Sequence, residues 1–169
     1  MGNRRIVKPY LETLRNTARE NASCGSWLSD GPTMLCRVES PEFIRVTAHT
    51  GTVRPINASA ISKTLAAYAD PDFIREWIAA RPLRAYTANT IVDEAALFEE
   101  YRKIREQGYC VSDAEFSDDS IGIGAPVRGK NGQVWAAISV GAPKFRMPEE
   151  KLREYIKLVM ETAAQVSEL

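Results

Sequence analysis

From Ile6 to Arg19 the apolar positions Ile6, Val7, Tyr10, Leu11, Leu14 and Ala18 recur at three- and four-residue intervals, the spacing of one helix face. Pro9 is best accommodated in a first turn, so this helix is expected to begin a few residues in. The pattern then changes. Cys24–Gly31 and Pro32–Glu39 read as strands around the turn signal Asp30-Gly31-Pro32, and Glu42–His49 (EFIRVTAH) reads as a third strand. A helix follows within Arg54–Asp70 (RPINASAISKTLAAYAD), with Asn57 available as its cap. In the next helix Asp70 caps, Pro71 takes the first position and Pro82 ends the element. Asp93 caps a further helix through Gln107, with Leu97, Tyr101 and Ile104 on one face and Gly108 as its stop.

Three strand-like runs close the pattern: Tyr109–Asp113, Ser120–Gly129 and Gln133–Ala142. Asn131-Gly132 between the last two is a strong hairpin signal. Pro148, Glu149 and Glu150 open a final helix whose stripe is Leu152, Ile156, Val159, Ala163 and Val166. Two groups of strands with helices between and around them predict an α+β fold, a mostly antiparallel sheet covered by helices.

The hairpin carries an unusual face. With Asn131-Gly132 as a two-residue turn, Gly122 sits opposite Gly141 and Gly124 opposite Ser139. Alternation then puts Ile121, Ile123, Ala125, Val127, Val134, Ala136, Ile138 and Val140 on a core face. The other face holds Gly122, Gly124, Ala137, Ser139 and Gly141, with Trp135 near the turn. Strand glycines mark close approach by a ligand or by another backbone. A helix lying on this trough and a pocket above it are both compatible with the pattern. The helix from Asn57 adds a second feature, because its first turn (Ala58, Ser59, Ala60, Ile61) leaves backbone amides and the positive dipole end open to an anion.

Composition narrows the classes. Lys plus Arg number 22 and Asp plus Glu 22, a zero net charge that argues against nucleic-acid binding by this chain alone. No apolar run approaches a membrane span, so no membrane partner is expected and a cytoplasmic location is. One histidine, His49, and three widely spaced cysteines, Cys24, Cys36 and Cys110, are a poor inventory for metal ligation or nucleophilic catalysis. No cofactor, metal or enzymatic activity is expected. Lys63, on a helix near Ser59 and Tyr68, reads as a solvated lysine.

The stretches RPINASAISKTLAAY, YTANTI, REQGYCVSDAEFSDDSIGIGAPV and AAISVGAPKFRM, in this order and spacing, resemble the effector-binding domain of IclR-type bacterial transcriptional regulators, as does LCRVES. The resemblance spans Ile6–Leu169 and implies a GAF-like fold with a six-stranded antiparallel sheet and helices on both faces. It also implies a single effector-sensing and oligomerising domain over 1–169, forming a homodimer or homotetramer. DNA would be contacted only through an N-terminal winged helix-turn-helix that this chain does not contain. The implied ligand is a small organic acid, often a carboxylate or aromatic acid. By the same resemblance the carboxylate-holding amides are those of Ala60 and Ile61, the polar groups Ser112, Gly122, Ser139 and Gly141, and the apolar wall Phe43, Val46 and Ser120. Ser112, Gly122 and Gly141 stand where relatives that bind glyoxylate-like acids carry Asp, Cys and Ser, so a wider, less polar pocket is expected. Asp113 would point to the opposite face from Ser112. Two alternatives remain open: a GAF-like thiol enzyme such as a sulfoxide reductase, and a pure oligomerisation module.

Overall fold

The computed structural model describes residues 2–169, with side chains from Arg4 onward. Helix α1 (Gly2–Ala18) leads into β1 (Asn21–Leu28) and β2 (Gly31–Val38). After a long connection come α2 (Ala60–Ala67), α3 (Pro71–Ala80) and α4 (Glu94–Gln107). Strands β3 (Cys110–Asp113), β4 (Ser120–Arg128) and β5 (Val134–Pro143) and helix α5 (Glu149–Ser167) complete the chain. The strands form one five-stranded sheet in the order β2-β1-β5-β4-β3, and every neighbouring pair is antiparallel. Among the described residues no helix is long and apolar enough to cross a membrane.

Helices cover both faces. On one, Val7, Leu11 and Leu14 of α1 and Val159, Ala163 and Val166 of α5 pack on Ile123, Ile138 and Val140. On the other, α2 lies against the sheet through Ile61 and Leu65, and α3 and α4 back it with Ile74, Ile78, Leu97, Tyr101 and Ile104. All eight residues of α2 are buried, so it is a core helix on every side. The end signals behave as their chemistry requires. Asp70 accepts from the Asp72 and Phe73 amides, Asp93 accepts from Ala96, and Gly108 takes the left-handed conformation (φ 83°) that ends α4.

The sheet has five strands, not six. Glu42–His49 is not a strand, because side chains rather than a neighbouring strand bind its backbone. Asn21 Nδ2 donates to the Val46 carbonyl at 2.7 Å, and the Arg37 guanidinium donates to the carbonyls of Val46 and Ala48. The short segment that does follow the outer edge of β2 comes later, at Gly51–Arg54, through Met34 N to Thr52 O, Gly51 N to Met34 O and Arg54 N to Pro32 O. Adjacent apolar residues Phe43 and Ile44 had already broken strict alternation, and both are exposed. Helix α1 also starts earlier than its proline predicts. Pro9 lies inside it, on the exposed face.

The β4–β5 register is the expected one through most of its length, with Gly122 opposite Gly141 and Gly124 opposite Ser139. The loop differs. Gly129 N donates to Gln133 O across Lys130-Asn131-Gly132, with Gly132 left-handed at φ 79°, a three-residue turn rather than a two-residue one. A register shift between Val127 and Arg128 absorbs the extra residue, and it exchanges the faces of two side chains. Val134 therefore packs with Ile61 and Leu65 on the α2 side, and Trp135 packs on the α1/α5 side.

Candidate functional site

The small face of the hairpin proves to be both packed and open, in different halves. A Cβ built on Gly124 would lie 2.7 Å from Thr64 Oγ1 and 2.8 Å from Ala60 O, and one on Gly25 would lie 2.5 Å from Ile61 Cγ2. On Gly122 it would meet Ala60 Cβ at 3.1 Å. Here α2 sits directly on the strands, and glycine is what permits it. On Gly141 a Cβ would meet nothing within 4 Å. The helix thus leaves the sheet uncovered near its own N-terminus, and a cavity of about 110 Å³ opens there.

The lining includes Val46, Ala60, Ile61, Ser112, Ser120, Gly122, Ser139 and Gly141. Eight of the nine positions singled out in the sequence therefore border one cavity. Phe43 does not. It is 97% exposed and lies outside the lining, three residues before the loop reaches the cavity at Val46. Asp113 faces away from Ser112, as strand alternation requires, and pairs with Lys144 at 3.0 Å. Asn57 is not the cap of α2. Its buried amide donates to the carbonyls of Arg84 and Ile91, while Ser59 holds the cap position (φ −131°, ψ 139°) without a side-chain cap bond. Ser59, Ala60 and Ile61 all line the cavity, so the first turn of α2 borders open space.

Sequence reasoning missed the charged residues of the wall. Arg37, on β2, and Arg54, on the segment before α2, both line the cavity, and no carboxylate does. Arg54 stacks its guanidinium 4.6 Å from the centre of the Phe116 ring, which also lines the cavity. Burial lowers the pKa of both guanidinium groups, which nonetheless stay charged at neutral pH. Asn21, Ser23, Ser59, Ser112, Ser120 and Ser139 add further polar groups to a small cavity whose exposed lining, with Met34, Val46, Ala48 and Ile121, is otherwise mostly apolar. Its volume is somewhat below the ~150 Å³ of a cavity that holds one benzene, and it opens to solvent on one side. Arg37, Arg54 and Phe116 all stand inside the motifs that carried the resemblance, yet none was among the positions singled out there, and they narrow the pocket that Ser112, Gly122 and Gly141 would leave.

Behind Ser112 lies a buried ionic cluster. Lys63 is not solvated: it is 0% exposed and bonds both carboxylate oxygens of Glu115 at 3.0 Å, with Glu100 at 3.5 Å. Ser112 Oγ stands 3.0 Å from Glu115 Oε2 and 3.2 Å from the Ala58 carbonyl, linking cavity wall to cluster. Ala114 takes a left-handed conformation (φ 51°), and the turn places Glu115 beside Lys63. The segment Tyr86–Thr90 holds that turn: Thr87 Oγ1 donates to Ala114 O and Thr90 Oγ1 to Glu115 O. Burial opposes the Lys63 charge, but the carboxylates of Glu115 and Glu100 around it leave its pKa above the ordinary value. Burial likewise raises Glu115 against the pull of Lys63.

The cysteines lie elsewhere. Cys24 and Cys36 face each other across β1 and β2 on the α1/α5 side, and Cys110 is buried beneath α4 with its thiol pushed up to about 12, chiefly by burial. Among the described residues no group of three His, Cys, Asp or Glu side chains could hold a metal ion.

A five-stranded antiparallel sheet, a fully buried helix laid across it and a cavity at that helix's N-terminus walled in part by two arginines are the defining features of this domain. The family model for "Bacterial transcriptional regulator IclR C-terminal" matches residues 1–168, and the chain belongs to this family. It is 32% identical over 161 residues to the HTH-type transcriptional regulator BhcR of Paracoccus denitrificans, covering 95% of this chain and 58% of that protein. Its fold matches the C-terminal domain of the Escherichia coli transcriptional regulator KdgR, with a TM-score of 0.88, 26% identity, and coverage of 99% of this chain and 98% of that one. It also matches a double mutant of the PobR inducer binding domain from Acinetobacter in complex with 3-hydroxybenzoic acid (TM-score 0.87, 24% identity, 96% of each chain), a likeness of fold. The chain thus spans under two thirds of the length of the curated relative BhcR.

Proposed function

We propose that this chain is the effector-sensing part of a transcriptional regulator, and that the cavity at the start of α2 binds a small organic acid. The observation that carries the reading is the composition of the wall: two guanidinium groups, five serines, the first turn of α2 without a side-chain cap, and no carboxylate. An anion entering it meets compensation on several sides, and the positive end of α2 adds to the field. The cavity, of about 110 Å³ and open to solvent, fits short aliphatic acids and compact aromatic ones. The complex of the PobR domain with 3-hydroxybenzoic acid supports the class rather than the identity. A thiol-enzyme reading loses support, since Cys24 and Cys36 lie on the opposite side of the sheet and Cys110 is a neutral buried thiol.

Thermal shift against aliphatic and aromatic acids, each paired with its neutral amide, tests the proposal. At least one acid is expected to raise the melting temperature where its amide does not. Amides that stabilise as well as their acids, or a panel without any shift, would remove the acid-sensing reading.

Self-association belongs to the same proposal. Phe43, Ile44 and Phe145 are large, exposed apolar side chains on two segments that ion pairs tie to the same Arg19–Glu20 corner, and exposed apolar groups of this kind are ones that a partner subunit can cover. Sedimentation of the isolated chain at tens of micromolar is expected to show a dimer or larger species, and a purely monomeric boundary would contradict this.

A further inference from the structure

Two cations share this cavity, and each lacks an acidic partner of its own. Arg54 is half-buried and donates no side-chain hydrogen bond to any described residue, nor does it pair with a carboxylate there. Its contact with the Phe116 ring fixes the plane of the guanidinium but leaves the edge donors unused. Arg37 gives two of its nitrogens to the neutral carbonyls of Val46 and Ala48, and its Nε is buried without an acceptor. Glu39, the carboxylate whose field reaches Arg37, is itself paired with Arg45. Glu115, the acid nearest the wall, is held by Lys63 behind Ser112. Leaving a buried or half-buried charge unpaired is costly, and a single carboxylate on the ligand would still leave one guanidinium uncompensated.

We propose that the effector is a small doubly anionic acid, and that Arg54 selects it by binding the second anionic group. This rests on the acid-sensing reading above and narrows it. Arg54 presents a planar fork that matches a carboxylate or a phosphate in a bidentate way, and the Phe116 ring holds that fork in place before the ligand arrives. Arg37, locked to the loop carbonyls, supplies charge at fixed position while anchoring the Val46–Ala48 wall. A cavity of about 110 Å³ that opens to solvent admits a chain of a few carbons with an acid at each end.

The test measures affinity by calorimetry for matched pairs, on the native chain and on Arg54→Gln and Arg54→Lys. Succinate and glutarate are compared with butyrate, and phosphoglycolate with glycolate; benzoate represents aromatic monoacids. On the native chain at least one dianion is expected to bind tenfold or more tighter than its monoanionic partner, a gap of about 1.4 kcal/mol. Arg54→Gln is expected to abolish that gap, weakening dianions at least tenfold more than it weakens their monoanionic partners, whereas Arg54→Lys retains part of it. Which dianion wins separates the dicarboxylate source from the phosphate source. Unliganded melting temperatures of both variants identify loss of fold, and the Lys variant preserves the test if the Gln variant unfolds. Monoanions that bind the native chain as tightly as dianions would overturn the proposal and leave the acid-sensing reading standing. A gap that survives in Arg54→Gln would also overturn it, and binding by no acid at all would remove both.

Discussion

Replacing Lys63 with methionine is expected to destabilise the fold by about 3–5 kcal/mol, the cost of removing one partner from a buried ion pair. The side chain is fully enclosed, and its ammonium is the counter-charge to Glu115 and to Glu100. Without it, Glu115 stays beside the buried Ser112 with no cation, and burial already raises its pKa while Lys63 is present. For a chain of this length the loss corresponds to a fall in melting temperature of roughly 10 °C. Urea denaturation of Lys63→Met, Glu115→Gln and the double variant checks the mechanism. The double variant should recover part of the loss, because it removes the stranded charge as well as the pair. If the Lys63→Met midpoint moved by less than ~1 kcal/mol, the cluster would be a solvated surface feature. The cavity would respond too, since Ser112 bonds Glu115 and lines the wall.

Local rules reached most elements here because their chemistry is local. Asp70, Asp93 and Gly108 mark helix ends through bonds made within a few residues. The pairing of Gly122 with Gly141 follows from alternation and a hairpin of nearly the right length. Failures came where distant groups decide. Glu42–His49 has strand-like residues, but its carbonyls are bound by Asn21 and Arg37 from β1 and β2, and no periodicity in the segment records that. One extra residue in the Lys130–Gly132 turn and the compensating shift moved Val134 and Trp135 to opposite faces, a change too small to read from spacing. Lys63 looked solvated because its acid partners lie 37 and 52 residues away along the chain. In the site, the residues on the sheet and on α2 were legible through the resemblance. Arg37, Arg54 and Phe116 were not, since a guanidinium carries no local sign of whether an acid will meet it. Arg54, at the head of the small-residue stretch that leads into α2, was the available signal.

The second large effect separates the packed half of the glycine face from the open half. Gly124→Val places a Cβ against Thr64 Oγ1 and the Ala60 carbonyl at under 3 Å, and backbone cannot yield cheaply. The variant should lose about 1–3 kcal/mol or more, as α2 is pushed off the sheet. Gly141→Val adds the same side chain where nothing lies within 4 Å, at a position whose φ is not in the left-handed region. Its unliganded stability should hold or rise by up to ~1 kcal/mol, because a β-branched residue replaces glycine in a strand. The new methyl groups then occupy a cavity of only about 110 Å³, so affinity for the best acid of the panel should fall tenfold or more. Gly122, with Ala60 Cβ at 3.1 Å and a place in the cavity wall, should show both effects in weaker form. Melting temperature without ligand and calorimetric affinity, measured on all three variants, read the two halves independently. Gly141→Val that melts as low as Gly124→Val, yet binds the acid unchanged, would mean that α2 covers the whole face and that the ligand site lies elsewhere.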